Sequence, residues 1–295
     1  MKKLLKFITI VLIIVFSIFL FRNIKNYKIH KILTDNYIAK YNINNLYSSK
    51  EINYRLVLDK KQKKIYETII ENLIEFKSSF IIQMNDYNYN APAMYYNKFS
   101  DVMELVFLDH PELIYSTGAT MSFNQITQTL TVSPIYTMSR NEYEKSLNKI
   151  HIIIQQVKNA TRKMNEYEKV KYVYDYIGKN NSYGNPDDHM THSAYAAFNH
   201  DLSPVCEGYA RAAQILFNNI GINSLLVAGK AEYALFVGGG HSWNYVEIEK
   251  KYYLFDVTWS SGLKGEAFYN GFLSNPKKHK PENKKTIPYI SKNYP

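Results

Sequence analysis

At Ser203-Pro204-Val205-Cys206-Glu207-Gly208-Tyr209-Ala210-Arg211 a polar, proline-containing loop gives way to an apolar periodic run. Ala210, Ala213, Gln214, Leu216, Phe217 and Ile220 recur at helical spacing, and Asn218-Asn219 and Gly221 are stop signals. The spacing predicts a buried helix whose first turn holds Cys206, the only cysteine of the chain. Free backbone N–H groups and the positive end of the helix dipole favour a thiolate there. A thiolate is the form that nucleophilic catalysis uses. A free cysteine is more often a small buried hydrophobe, so the catalytic reading needs a base and a group to orient it.

Both are offered downstream. Gly238-Gly239-Gly240-His241-Ser242-Trp243-Asn244-Tyr245-Val246-Glu247-Ile248-Glu249 and Tyr252-Tyr253-Leu254-Phe255-Asp256-Val257-Thr258-Trp259 are rich in β-branched and aromatic residues, with Lys250-Lys251 as a polar break. This pattern predicts a hairpin. His241 opens its first strand and Asp256 lies late in the second, so a turn near Lys250 brings them back together. The order Cys206, His241, Asp256 supplies a nucleophile, a base and a carboxylate that sets the tautomer of the base. The glycine run before His241 reads as a loop that bends sharply and could hinge a lid. Trp243 and Trp259, the two tryptophans, are candidate walls of a substrate site, with plain core packing as the equal alternative.

The segments Cys206-Glu207-Gly208-Tyr209-Ala210-Arg211, His241-Ser242-Trp243-Asn244 and Asp256-Val257-Thr258-Trp259 together resemble the core motifs of the bacterial transglutaminase-like superfamily. The similarity extends upstream through Tyr172-Val173-Tyr174-Asp175-Tyr176-Ile177 and Asn181-Ser182-Tyr183, over roughly residues 165–275. The resemblance implies an α+β, papain-like core, with a Cys-bearing helix packed on an antiparallel sheet that bears His and Asp. It carries the nucleophile onto Cys206, the base onto His241 and the orienting carboxylate onto Asp256. It leaves the reaction open, because the superfamily includes cross-linking enzymes, proteases, amidases and members without demonstrated activity.

Ahead of that core, Lys2, Lys3 and Lys6 precede the almost wholly apolar run Phe7–Phe21. Counted from Leu4 it is roughly 18 residues, or about 27 Å of helix, enough to span a bilayer with snorkelling lysines. No small-x-small cleavage site follows, so residues 1–23 read as a signal anchor, with a cleaved signal peptide as the rival. With the N-terminus inside, the catalytic domain is expected outside the cell, single-pass and membrane-held, or secreted if the segment is cleaved. A lone cysteine outside the cell has no intramolecular disulfide partner and is either inert or a reactive thiol.

The remainder divides into a polar linker over 24–59, an α+β accessory region over 60–160, the catalytic domain over 161–275 and a basic tail over 276–295. Lys60–Met84 has helical spacing, Val102–Leu108 continues a helix that Asp109-His110-Pro111-Glu112 ends, and Thr120–Tyr136 reads as two strands turning near Asn124–Gln128. Helices are predicted over Asn141–Val157 and Glu166–Ile177. A His-Pro-Glu-Leu segment such as His110–Leu113 is similar to one that often precedes the core in this family, and His110 itself reads as a turn residue. His189, His192 and His200 match no familiar zinc spacing, so no metal and no cofactor is expected.

The net charge of +10 is concentrated in Lys2, Lys3, Lys6, Arg22, Lys25 and Lys28 and in Lys277, Lys278, Lys280, Lys284, Lys285 and Lys292. It suits anionic surfaces, while no aromatic–basic motif points to nucleic acid. The expected chemistry is acyl transfer from an amide through a Cys206 thioester, to water or to an amine, with hydrolysis slightly preferred. The expected substrates are proteins or peptides, of the cell wall or surface given the location. The alternative is a non-catalytic surface or wall-binding module on the same fold.

Overall fold

The structure is a computed structural model and describes residues 53–85, 87, 91–233, 236–284, 287–292 and 294. The expected membrane segment, 1–23, and most of the linker, 24–59, lie outside the described residues. Among the described residues, no helix is long and apolar enough to cross a membrane.

The N-terminal part pairs three helices with a small sheet. Helix α1 (Lys60–Ile74) starts in a capping box between Asp59 and Gln62 and buries Ile65, Tyr66, Ile69 and Leu73 along one face. It stops ten residues short of the predicted Met84 end: Phe76 takes a left-handed φ of 54°, and Phe80–Gln83 becomes strand β1. The β-branched pair Ile81-Ile82 alternates in burial there, Ile82 inward and Ile81 59% exposed, which is strand periodicity within a run that counts equally well as helix. Helix α2 (Pro92–Asp109) begins on a proline that needs no N–H partner. Strands β2 (Ser116–Asn124) and β3 (Thr129–Tyr136) form the predicted hairpin, and the antiparallel order is β1-β3-β2. Helix α3 (Arg140–Thr161) follows on a second capping box, from Ser139 and Glu142.

The Asp-His-Pro-Glu segment closing α2 has a structural role. Buried Asp109 accepts from the backbone N–H of Tyr54 (2.8 Å) and Arg55 (2.9 Å) and from the Tyr66 hydroxyl (2.8 Å). His110 Nδ1 sits 2.8 Å from Glu112 Oε1. Desolvation pushes the Asp109 carboxyl above its ordinary range, against those three donors.

The second half carries the candidate site. Helix α4 (Glu166–Asn180), the short α5 (Ala194–Phe198) and α6 (Cys206–Ile220) precede a four-stranded antiparallel sheet. Its strands are β4 (Ser224–Tyr233), β5 (Phe236–Ile248), β6 (Lys251–Phe255) and β7 (His279–Pro281), in the order β6-β5-β4-β7. The architecture is thus mixed α+β with two antiparallel sheets. Helix α6 packs on β4, β5, α3, α4 and α5, and Ile215, Leu216 and Phe217 are wholly buried. Phe217 meets Phe255 edge-on at 4.9 Å, and Tyr174 of α4 meets the same ring at 5.3 Å. Each such side chain contributes roughly 1.5–3 kcal/mol by burial. The Tyr54 hydroxyl donates to Leu226 O of β4 at 2.9 Å, tying the start of the described chain to the second sheet.

Three local readings change. The glycine run 238–240 lies inside β5, with Gly240 opposite Lys230, so it is strand and not a hinged loop. His241 consequently sits mid-strand instead of opening it, and Asp256 falls just past the end of β6, as the cap of a 3₁₀ turn. The stretch read as a basic tail supplies β7, paired to β4 through Gly229, Lys230 and Ala231.

Candidate active site

Cys206 is the first residue of α6, as its spacing predicted, and the helix closes at Gly221 with φ 74°. Val205 precedes it and offers no side-chain cap. The backbone donors of the first turn therefore remain for other groups. One such group is Tyr183, whose hydroxyl lies against the backbone and side chain of Cys206. Burial and the neighbouring sulfur raise the phenol to about 12.

The two residues after Cys206 explain why the helix starts where it does. Glu207 accepts from Arg211 Nη2 at 2.6 Å, one turn on, and lies 3.1 Å from His192 Nδ1. Burial opposes its charge, but the Arg211 guanidinium and His192 hold the carboxyl below its usual range. His192 also reaches Pro186 O at 2.9 Å, which places both ring nitrogens as donors; the Glu207 bond raises its pKa. At Gly208 a Cβ would stand 2.5 Å from Thr191 O and 2.9 Å from Ser193 O. The bare backbone lets the 3₁₀ turn His189–His192 lie against the helix start. His192 is thus spent on Glu207.

Strand β5 presents His241 to this helix. Asn244, three residues on, is buried and donates from Nδ2 to Ala210 O (3.1 Å) and Gln214 Oε1 (3.2 Å), which clamps the strand to α6. The turn at Glu249 and Lys250, φ 51° and 62°, reverses the chain into β6. The register sets Asn244 opposite Phe255, so Asp256 comes level with the neighbourhood of His241. His241 Nε2 lies 2.7 Å from Asp256 Oδ2, and the Cys206 side chain is close enough to the imidazole to favour its charged form. With Nε2 committed to Asp256, Nδ1 is the nitrogen left for sulfur. Burial opposes the imidazolium, yet the Asp256 carboxylate and the sulfur overcome it and raise His241 to about 10. At Asp256 burial opposes ionisation, and the two nearby imidazoles reverse that and hold the carboxyl far below its usual range.

The structure therefore brings Cys206, His241 and Asp256 together, with the His241–Asp256 hydrogen bond formed and the sulfur beside the imidazole. It places the tryptophans differently from a substrate wall. Trp243 is 1% exposed and lies inside, 5.9 Å from the His241 ring, and Trp259 is 9% exposed with its ring 4.5 Å from His279. Every residue from Ser242 to Val246 is buried, so β5 is covered on both faces, and both tryptophans lie beside the imidazoles.

Tyr183 lies in the segment 181–183 that carries part of the resemblance, where no periodicity gave it a role; a second participant was invisible in the sequence. His279 stands in a lysine-rich segment, yet its side chain is fully buried and its Nε2 lies 2.9 Å from Asp256 Oδ2. His241, Asp256 and His279 offer three ligand atoms within 4.8 Å of one another, the one group among the described residues that could hold a metal ion. Both nitrogens, however, point at a single carboxylate oxygen at hydrogen-bond distance, and each bond uses a lone pair that a cation would need.

A half-buried thiol at a helix start is thus faced by a strand-borne imidazole and a carboxylate. The family model of the transglutaminase-like superfamily matches residues 155–257. Among solved structures, the chain is similar to a provisionally assigned cysteine protease from Cytophaga hutchinsonii, at 14% identity and TM-score 0.32, over 48% of this chain and 61% of that one. It is also similar to a TGase, at 16% identity and TM-score 0.35, over 51% of this chain and 46% of that one. The chain thus spans less than two thirds of the length of either. No curated protein sequence matches it.

Proposed function

We propose that this protein is a thiol acyl-transfer enzyme, with Cys206 as nucleophile, His241 as general base and acid, and Asp256 as the orienting carboxylate. The observation that carries the reading is the His241 imidazole, hydrogen-bonded to the buried Asp256 carboxylate at 2.7 Å and set beside the Cys206 sulfur at the start of α6. At neutral pH that imidazolium stabilises a Cys206 thiolate beside it. The thiolate attacks an amide carbonyl, and the oxygen that becomes negative is received at the Cys206 N–H, where it takes over the position held by the Tyr183 hydroxyl. His241 passes its Nδ1 proton to the departing amine, leaving a thioester. Deprotonated His241 then removes a proton from water or from an amine, which adds to the thioester. Collapse expels the thiolate and yields an acid or a new amide, and the imidazolium is restored.

Hydrolysis is the preferred outcome, because selecting an amine against water at roughly 55 M requires an apolar, water-excluding acceptor channel. The two tryptophans, turned inward, do not supply one. The N-terminal apolar run supports a location at the membrane with the domain outside, and hence protein or peptide substrates of the wall or surface. The test is a glutamine-containing peptide mixture, with and without a labelled primary amine. Cleavage or deamidation that disappears in Cys206→Ala is expected; label incorporated in a Cys206-dependent way would move the reading to cross-linking. If Cys206 reacts with iodoacetamide at pH 6 no faster than a free thiol, the enzymatic reading falls.

A further inference from the structure

The proposed triad leaves one buried group unexplained. His279 arrives from β7, the edge strand added to β4, and its Nε2 shares Asp256 Oδ2 with His241, at 2.9 Å and 2.7 Å. The side chain is fully buried, wedged edge-on against Trp243 at 4.9 Å and tilted on Trp259 at 4.5 Å. Its other nitrogen, Nδ1, is buried without a hydrogen-bond partner among the described residues. A side chain that only filled space here would be better apolar, since an unpaired buried polar atom is unfavourable. The bond to Asp256 is what an imidazole adds at this place. A proton on Nε2 is the one the Asp256 carboxylate oxygen can accept.

The backbone is shaped to deliver it. A Cβ on Gly229 would stand 2.3 Å from Lys280 O, 2.8 Å from Pro281 Cα and 2.8 Å from the Trp243 ring. A bare position at 229 lets β7 close over that tryptophan, with Ala231 opposite His279 and Glu282 N–H donating to Ala228 O at 3.1 Å. Asp256 is then held from three directions: Thr258 N–H on Oδ1 at 3.2 Å, and the two imidazoles on Oδ2. Without the His279 donor the carboxylate can turn about its Cβ–Cγ bond, and the His241 ring turns with it.

Resting on the triad reading above, we infer that His279 is a positioning residue: its Nε2–H fixes the Asp256 carboxylate that orients His241 towards Cys206. The test compares three substitutions in the full chain. His279→Gln keeps an N–H at the same reach, His279→Asn sets it one methylene short, and His279→Leu removes it. The readouts are iodoacetamide alkylation of Cys206 at pH 6, the low-field proton signal of the His241 Nε2–H in ¹⁵N-histidine-labelled protein, and the melting temperature. Gln is expected to alkylate within about twofold of wild type and to keep the low-field signal. Asn and Leu are expected to lose about tenfold and to broaden or lose the signal, the scale of one hydrogen bond to a charged group. Should Leu fail to fold, the Gln–Asn pair decides alone. Equal rates and an unchanged signal in Gln and Asn would overturn the inference, as would equal losses in both. A wild-type Cys206 no more reactive than a free thiol would defeat the triad reading instead, while the low-field signal still reports whether His279 governs the His241–Asp256 bond.

Discussion

Asp109 and Asp256 are both buried carboxylates that accept three hydrogen bonds, yet desolvation prevails at the first and loses at the second. The donors differ in kind. Asp109 takes two backbone N–H groups and a phenol, and its neighbouring imidazole, His110, is paired to Glu112. Asp256 takes one backbone N–H and two imidazoles, one of which carries a charge that Cys206 helps to keep. Neutral donors fasten a chain segment; a charged donor is needed to keep a dry carboxylate ionised. The first aspartate is built as an anchor for Tyr54 and Arg55, the second as a fixed negative charge.

The strongest way to break this contrast is to remove each carboxylate. Asp256→Ala is expected to lower the alkylation rate of Cys206 by about 10³–10⁴-fold, the scale on which a mis-oriented imidazole acts in such triads. Asp109→Ala is expected to destabilise the fold by about 3–5 kcal/mol through orphaned buried donors. Its folded molecules should alkylate within about twofold of wild type. Denaturant melts scored together with alkylation separate the two, and a reversal of roles would dissolve the distinction.

Titration sharpens it. In a carboxyl-carbon NMR titration Asp109 is expected to protonate above the ordinary carboxylate range and Asp256 far below it. Asp109 binds its proton more tightly folded than unfolded, so its contribution is present below the ordinary value and is lost as pH rises through the raised one. Asp256 does the opposite: its contribution stands above the ordinary value and disappears as pH falls through the depressed one. His241, raised to about 10, contributes fully below its ordinary value of about 6.5 and loses that contribution as pH climbs towards 10. Stability measured between pH 7 and pH 10 should therefore decline in wild type and decline less in Asp256→Asn.

The smallest expected effect lies beside the nucleophile. Glu207 is a third exposed, so Glu207→Gln should change stability by about 1 kcal/mol or less. It should alter Cys206 alkylation by only about two- to threefold, because its partners Arg211 and His192 position the helix start and do not touch His241. A loss as large as that of Asp256→Ala would make Glu207 part of the reacting machinery.

These contrasts also mark what was legible beforehand. The α6 start was readable because Cys206, the apolar period after it and Gly221 agree at every level. The His241–Asp256 approach was readable because a two-strand pattern with a polar break has few outcomes. His279 was not, since a three-residue edge strand has no period, and lysines on both sides read as solvent. Whether Trp243 packs in the core or walls the site was left open, because the place of His241 within β5 was not legible. The end of α1 was missed because Ile81-Ile82 satisfies helix and strand spacing alike, and the left-handed Phe76 that breaks the helix bears no glycine signature.

β7 holds to its sheet by three residue pairs, at an edge with no strand of the described residues paired beyond it. Edges of this kind open in local fluctuations that leave the rest of the molecule folded, with free energies well below that of global unfolding. His279 rides on this strand. If His279 positions Asp256 as inferred above, the reactive state of Cys206 is tied to a short edge strand and not to the core of Phe217, Phe255 and Tyr174. On warming, thiol reactivity should fade at temperatures where the two sheets still melt as a unit, so that inactivation is a local fraying event and resistance to heat would be gained by stitching down three residues.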